Sequence, residues 1–193
     1  MEAEWFTIKN IDDVDSPALV IYPERVKANI DLAISMANGN TNRLRPHVKT
    51  NKTIDATVLM LQAGISKFKC ATIAEAEMLA MAGATDILLA YQPTMPKVKR
   101  LISLIKKYND AVFSCLADNT ASAQMIAGEA SRENVQLRVF LDVNVGMNRT
   151  GIFPGEGVIE LYRFCNNLDG IIPVGLHAYD GHIRTKDINQ RTL

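Results

Sequence analysis

Short apolar runs alternate with amphipathic stretches along this chain at a steady interval. Residues 1–16 are weakly patterned, with Trp5-Phe6-Thr7-Ile8 as a possible short strand. Residues 17–22 form an apolar run that predicts a buried strand, and Pro23 opens a helix at the turn where its missing N–H costs nothing. Val26, Ile30, Ala33 and Ala37 stripe that helix, and Gly39 closes it. Residues 44–52 then alternate: a period of two sends Leu44, Pro46 and Val48 to one face and Arg45, His47 and Lys49 to the other. Asn51 is predicted to cap a helix striped by Ile54, Val58 and Leu61 and ended by Gly64.

Residues 68–71 predict the next strand. Thr72-Ile73-Ala74-Glu75 has the spacing of a capping box, opening a helix through Met81 that Gly83 stops. A strand at 86–91 precedes a helix from Pro96 with Val98, Leu101, Ile102 and Ile105 inward. A strand at 111–116 follows, then a helix capped by Asn119 or Thr120, and a strand at 136–143. Pro154 begins a helix carrying Val158, Leu161 and Cys165, Gly170 follows it, and 172–179 is the last strand before a helix opening at Asp187.

Strict alternation of strand and helix predicts an α/β fold with a parallel sheet covered by helices. A (β/α)8 TIM-type barrel and a doubly wound sheet fit this spacing equally well. The pattern yields seven strands rather than eight in 193 residues, against a typical barrel of about 250 residues. The expectation is one domain, 1–193, truncated before its last strands. Gln62-Ala63-Gly64-Ile65 and Met81-Ala82-Gly83-Ala84 repeat one helix–strand turn, without a solenoid period.

Charge adds little to this picture. Lys plus Arg and Asp plus Glu each number 21, which gives no reason to expect nucleic acid or an anionic membrane as partner. Cys70, Cys115 and Cys165 are odd in number and set among apolar residues, as reduced core thiols are. With no leader pattern in residues 1–10 and no bilayer-length apolar run, a cytoplasmic protein is expected.

In a parallel barrel, chemistry gathers at the C-terminal ends of the strands. That rule collects Arg45, His47, Lys49, Asp142, Asn144, Arg149, His177, Tyr179 and His182. A lysine at the end of a buried strand, with its pKa lowered by desolvation and nearby cations, can attack a carbonyl to form a Schiff base. A snorkelling surface lysine fits the spacing of Lys49 as well. Asp142 and Asn144 alternate with Val139, Leu141 and Val143 and so face the barrel interior. A polar pair there needs partners or a ligand, and a carboxylate holding a structural lysine or arginine also satisfies the pattern. Arg149 lies between Gly146 and Gly151 and can donate to a phenolate or carboxylate, or stand solvated on a loop. His177 and Tyr179 share a face on which they can stack on a flat ring, or His177 is a satisfied core histidine. The three histidines have no metal-ligand spacing, and no phosphate-binding glycine motif of the Rossmann or P-loop type is present.

Together, Arg45-Pro46-His47-Val48-Lys49-Thr50, Cys70-Ala71-Thr72-Ile73-Ala74-Glu75-Ala76-Glu77, Asp142-Val143-Asn144-Val145-Gly146, Arg149-Thr150-Gly151 and Gly175-Leu176-His177-Ala178-Tyr179-Asp180-Gly181-His182 carry a resemblance. Ser16-Pro17-Ala18-Leu19-Val20 and Asp86-Ile87-Leu88-Leu89-Ala90 extend it along nearly the whole chain. The chain resembles the N-terminal barrel of pyridoxal-phosphate enzymes of the alanine-racemase fold type, within that group most of all D-threonine aldolase and D-serine dehydratase.

The resemblance implies roles. Lys49 would carry pyridoxal 5'-phosphate, Arg149 would donate to its phenolate oxygen, and His177, Tyr179 and Asn144 would lie at the cofactor. His47 would shuttle a proton beside Lys49, and His182 would contact the substrate's β-hydroxyl. The implied activity is a lyase on β-hydroxy D-amino acids, D-threonine to glycine plus acetaldehyde. D-serine dehydratase, an amino-acid racemase and a non-catalytic pyridoxal-phosphate-binding protein are the alternatives. The resemblance places a divalent metal (Mn, Mg or Zn) in a C-terminal β domain absent here, and the phosphate loop in the last barrel strands. The metal and a homodimer are therefore expected only of a full-length form. Residues 1–193 alone are expected to be poorly soluble, to bind the cofactor weakly and to be inactive.

Overall fold

Helix starts and stops in this chain are set by a few side chains. Pro23 at the first position and Gly39 in a left-handed turn (φ 76°) bracket α1, Pro23–Met36, which buries Ile30. The computed structural model describes residues 5–191; residues 1–4, part of the stretch read as lacking a leader, and 192–193 lie outside the described residues. The other elements are α2 (Ile54–Gln62), β1 (Lys67–Cys70), α3 (Ile73–Met81), β2 (Asp86–Leu89), α4 (Met95–Lys107), β3 (Val112–Ala117), α5 (Thr120–Arg132), β4 (Leu137–Val143), α6 (Glu156–Asn166), β5 (Ile171–Ala178) and a single turn, α7 (Ile188–Arg191).

The five strands found among the described residues are parallel and lie in chain order, β1-β2-β3-β4-β5. A doubly wound sheet reverses its order at a switch point. This one does not, so the architecture is a barrel wall. The core fills the outer face: Phe68, Ile87, Leu89, Cys115, Val139 and Leu141 from the strands meet Leu79, Val98, Leu101, Ile126 and Leu161 from the helices. All three cysteines are free and buried, and burial pushes the Cys115 thiol up to about 12. No helix among the described residues is long and apolar enough to cross a membrane.

Capping follows the sequence with three corrections. Thr72 Oγ1 accepts from the Glu75 amide at 3.0 Å, but Glu75 reaches back to the amide of Ala71 (2.7 Å) rather than to Thr72. Asn119 caps α5 as expected. Thr53, not Asn51, caps α2, because Lys52 takes a left-handed conformation (φ 51°) and delays the helix. The buried face of α2 is then Ala56, Thr57 and Met60, and Ile54 is 40% exposed. Pro154 lies just outside α6, which Gly155 caps.

Two predicted strands are not strands. Residues 17–22 find no backbone ladder among the described residues, and Leu19 is 75% exposed. Residues 44–47 touch the sheet at a single bridge, His47 to Lys69, with the Lys69 amide donating to Pro46 O at 2.7 Å. Pro46 has no N–H to extend that ladder. Nor is 5–8 a strand: Trp5 packs edge-on to Tyr22 (5.2 Å), with the Arg25 guanidinium 3.9 Å over its ring.

Candidate active site

The strand ends gather polar side chains on the inner face of the sheet. Arg45 lies over Asp86 as a bidentate pair (2.6 and 2.8 Å). After His47 the chain folds into a tight turn, Val48–Thr50, instead of continuing as a strand. Val48 anchors that turn in the core, which leaves Lys49 exposed at the wall of the cleft. The Lys49 backbone amide donates to His47 Nδ1 at 3.2 Å, so the neutral ring carries its proton on Nε2. Burial first, then the nearby Lys49 charge, holds the His47 pKa below its usual value and keeps that ring neutral.

On the opposite side, β4 and β5 pair Asp142 with His177. A register shift between Val139 and Phe140 skips Val174, which turns Gly175, His177 and Tyr179 inward although Ile171 and Pro173 face the helices. Asp142 Oδ1 sits 2.6 Å from His177 Nδ1, and its Oδ2 accepts from Thr150 Oγ1 (2.8 Å) and Gln92 Nε2 (3.0 Å). Burial alone would raise the Asp142 pKa; the hydrogen bonds from His177, Thr150 and Gln92 outweigh it and hold the carboxyl below its usual value. With an anion on Nδ1, the neutral form of His177 carries its proton there and leaves Nε2 as the acceptor. The two imidazoles are thus opposite in kind: His47 offers a donor and His177 an acceptor.

The loop after β4 is braced from within. Asn144 Oδ1 accepts from the amides of Gly146 and Asn148, both at 3.1 Å, and its Nδ2 donates to Asn148 Oδ1. Asn144 therefore spends its polar atoms on the loop. Gly151 N donates to Asp118 Oδ2 (3.1 Å), whose carboxylate also takes Gln92 (2.9 Å). Between these anchors the loop sets the Arg149 guanidinium 5.0 Å above the Tyr179 ring. His182 stands over Gly146, where an added Cβ would meet its Nε2 at 2.9 Å, and is not part of the cleft wall.

Gly151 is the tightest point of the loop. Its φ is +96°, and an added Cβ would lie 2.7 Å from Asn144 N and 2.8 Å from Val143 C. Gly151→Ala is expected to cost at least about 2 kcal/mol, since left-handed strain adds to a clash with backbone that cannot move aside. Chemical denaturation checks this: a midpoint equal to that of the parent protein would contradict the fit.

Lys49, His47, Arg149, His177 and Tyr179 line one open cleft of ≈ 450 Å³, together with Arg45 and Lys69. That volume lies in the range of small-molecule sites. A flat, anionic aldehyde cofactor fits this set: an exposed amine, a guanidinium that no carboxylate engages among the described residues, and aromatic and imidazole rings. A metal does not find the same support, because the described residues hold no group of three or more His, Cys, Asp or Glu side chains placed for one. Sequence patterning overlooked Lys69, Gln92, Asp118 and Thr150. Lys69 was within reach of the alternation rule, as Phe68 and Cys70 on either side are core residues.

Comparison with known proteins bears on this geometry. The family model described as alanine racemase, N-terminal domain, matches residues 21–192. A D-threo-3-hydroxyaspartate dehydratase from Delftia sp. (strain HT23) is 30% identical over 72% of this chain and 36% of its own length. A D-threonine aldolase from Arthrobacter sp. is 27% identical over 90% of this chain and 46% of its own. The crystal structure of D-threonine aldolase from Filomicrobium marinum superposes with a TM-score of 0.80 at 27% identity, covering 89% of this chain and 47% of that one. The chain thus spans less than half the length of each of these relatives.

Proposed function

Because the chain belongs to the alanine racemase N-terminal-domain family, we propose that it forms the cofactor-binding barrel portion of a pyridoxal-phosphate-dependent lyase acting on β-hydroxy D-amino acids. The observation that carries this reading is the convergence of Lys49, the Arg149–Tyr179 pair and the Asp142–His177 pair on one cleft at the strand ends. Lys49 would hold the cofactor through its amine. Arg149 would lie at its phenolate oxygen, and His177 and Tyr179 beside its ring. When bound, the cofactor supplies an electron sink for the pair left on the substrate's Cα.

The chain's own groups do the rest. His177 Nε2 is the proton acceptor turned to the cleft, held in that tautomer by Asp142. His47 Nε2–H is a neutral donor for an anionic oxygen next to Lys49. In the aldolase reading the β-hydroxyl loses its proton, the Cα–Cβ bond breaks, and an aldehyde and glycine leave. The dehydratase from Delftia favours a second reading, in which the Cα proton is removed, the β-hydroxide departs, and a 2-oxo acid and ammonia follow.

The test uses the full-length protein with pyridoxal phosphate and manganese, given D-threonine and 3-hydroxy-D-aspartate separately. Aldehyde plus glycine identifies the aldolase, and 2-oxo acid plus ammonia the dehydratase. Cofactor binding with neither product would replace the lyase reading by that of a carrier.

Arg149→Ala is expected to weaken cofactor binding by about tenfold, the loss of one charge-assisted contact. It should also move the pH at which the visible band of the bound cofactor titrates, because a close cation favours the ionised phenolate. An unchanged spectrum across pH would make Arg149 a loop residue only.

A further inference from the structure

Lys69 is a cation of the cleft that the proposed reaction leaves unused. On β1 it lies between Phe68 and Cys70, both fully buried on the helix side, so its own side chain turns to the inner face. Its bridge to His47 sets the two residues side by side, and its ammonium belongs to the wall that carries Lys49 and Arg149.

Lys69 is half-buried, and among the described residues no acceptor takes a hydrogen bond from its Nζ. Two carboxylates at the inner face of the sheet are already engaged. Asp86 is closed by both bonds from Arg45, and Asp142 by His177, Thr150 and Gln92. Burial first, then the Arg45 charge, lowers the pKa of Lys69, and the Asp142 carboxylate, which pulls the other way, does not offset them. Of the other cleft cations, Lys49 is committed to the cofactor on the proposed reading, Arg45 is neutralised, and Arg149 stacks on Tyr179.

We propose that Lys69 Nζ receives a carboxylate of the substrate's side chain, so that the cleft selects β-hydroxy amino acids bearing a second carboxylate over those with a neutral side chain. This inference rests on the pyridoxal-phosphate reading of the cleft. The cofactor's phosphate is the other source of an anion, and the experiment separates the two.

The full-length protein, Lys69→Gln and Lys69→Arg are each titrated with pyridoxal phosphate. Each loaded protein is then titrated with 3-hydroxy-D-aspartate and with D-threonine, following the absorbance of the bound cofactor. Lys69→Gln is expected to bind 3-hydroxy-D-aspartate about tenfold to a hundredfold more weakly, the loss of one charged contact. Its affinity for D-threonine and for the cofactor should stay within about twofold, and retained cofactor binding shows that the variant is folded. Lys69→Arg should keep most of the preference. Equal weakening towards both amino acids, or no weakening, overturns the proposal. Loss of cofactor affinity in Lys69→Gln assigns the residue to the phosphate and overturns it too. If the unaltered protein takes up no cofactor, the reading of the cleft fails, and the role of Lys69 fails with it.

Discussion

Lys49→Ala is expected to abolish borohydride-stable attachment of pyridoxal phosphate and to lower cofactor retention by at least about 100-fold, since the covalent anchor goes and only non-covalent contacts stay. The turn that presents Lys49 does not depend on its amine. Val48 is fully buried, and the Lys52 amide closes the turn on Val48 O at 2.8 Å, so the variant should fold as the parent does. Lys52→Ala is the matching control: Lys52 is exposed a turn away and outside the cleft wall, and its loss should leave attachment unchanged. Reduced peptides from both variants, weighed by mass spectrometry, decide the matter. Full attachment in Lys49→Ala would remove the anchor from this turn.

Asp142→Ala should have the largest effect on stability. Asp142 is 3% exposed and accepts from three side chains. Its removal leaves the nearly buried His177 Nδ1 unpaired and frees the exposed Thr150 hydroxyl, while Gln92 keeps Asp118 at 2.9 Å. A loss of about 3 kcal/mol is expected in denaturant unfolding. The pH dependence has a definite sign. The folded pKa lies below its ordinary value of 3.8, so the carboxylate's contribution is present above the unfolded value and is lost as pH falls through the lower folded value. Unfolding curves of the parent should therefore weaken below about pH 4 through this group, and Asp142→Asn should lack that component. Parallel acid curves for the two proteins would contradict the account of the network.

Much of this was legible in the sequence, for reasons visible in single residues. Buried strands announce themselves where a polar residue interrupts apolar alternation, as Asp142 does between Leu141 and Val143. Glycines after helices, such as Gly64 and Gly83, mark left-handed turns that the structure confirms. The stripe of α6 followed directly from its period, and that of α4 did so except that Leu104 is buried and Ile105 only partly so. The resemblance drawn from seven short stretches led to the family that residues 21–192 match.

What stayed hidden depends on distant partners. Gln92 meets Asp142 across 50 positions and Gly151 meets Asp118 across 33, and no local pattern encodes such pairs. The strand reading of residues 44–52 failed because every second residue must donate to the neighbouring strand, and Pro46, which faces β1, has no N–H to give. Lys49 consequently reaches the cleft from a turn rather than from a strand end. The buried face of α2 depended on where Lys52 let the helix begin, and the cap lies at Thr53 rather than at the Asn51 that the sequence pattern suggested. His182 shares a motif with His177, yet the chain beyond β5 carries it over Gly146 and away from the cleft wall.

The central claim is that this cleft holds pyridoxal phosphate on Lys49. Its most direct test is to load the full-length protein with the cofactor, reduce it with borohydride, digest it and map the modified lysine by mass spectrometry. The account predicts a single major site at Lys49. Modification chiefly at Lys69, the other amine of the cleft, or spread over surface lysines such as Lys52, would contradict it.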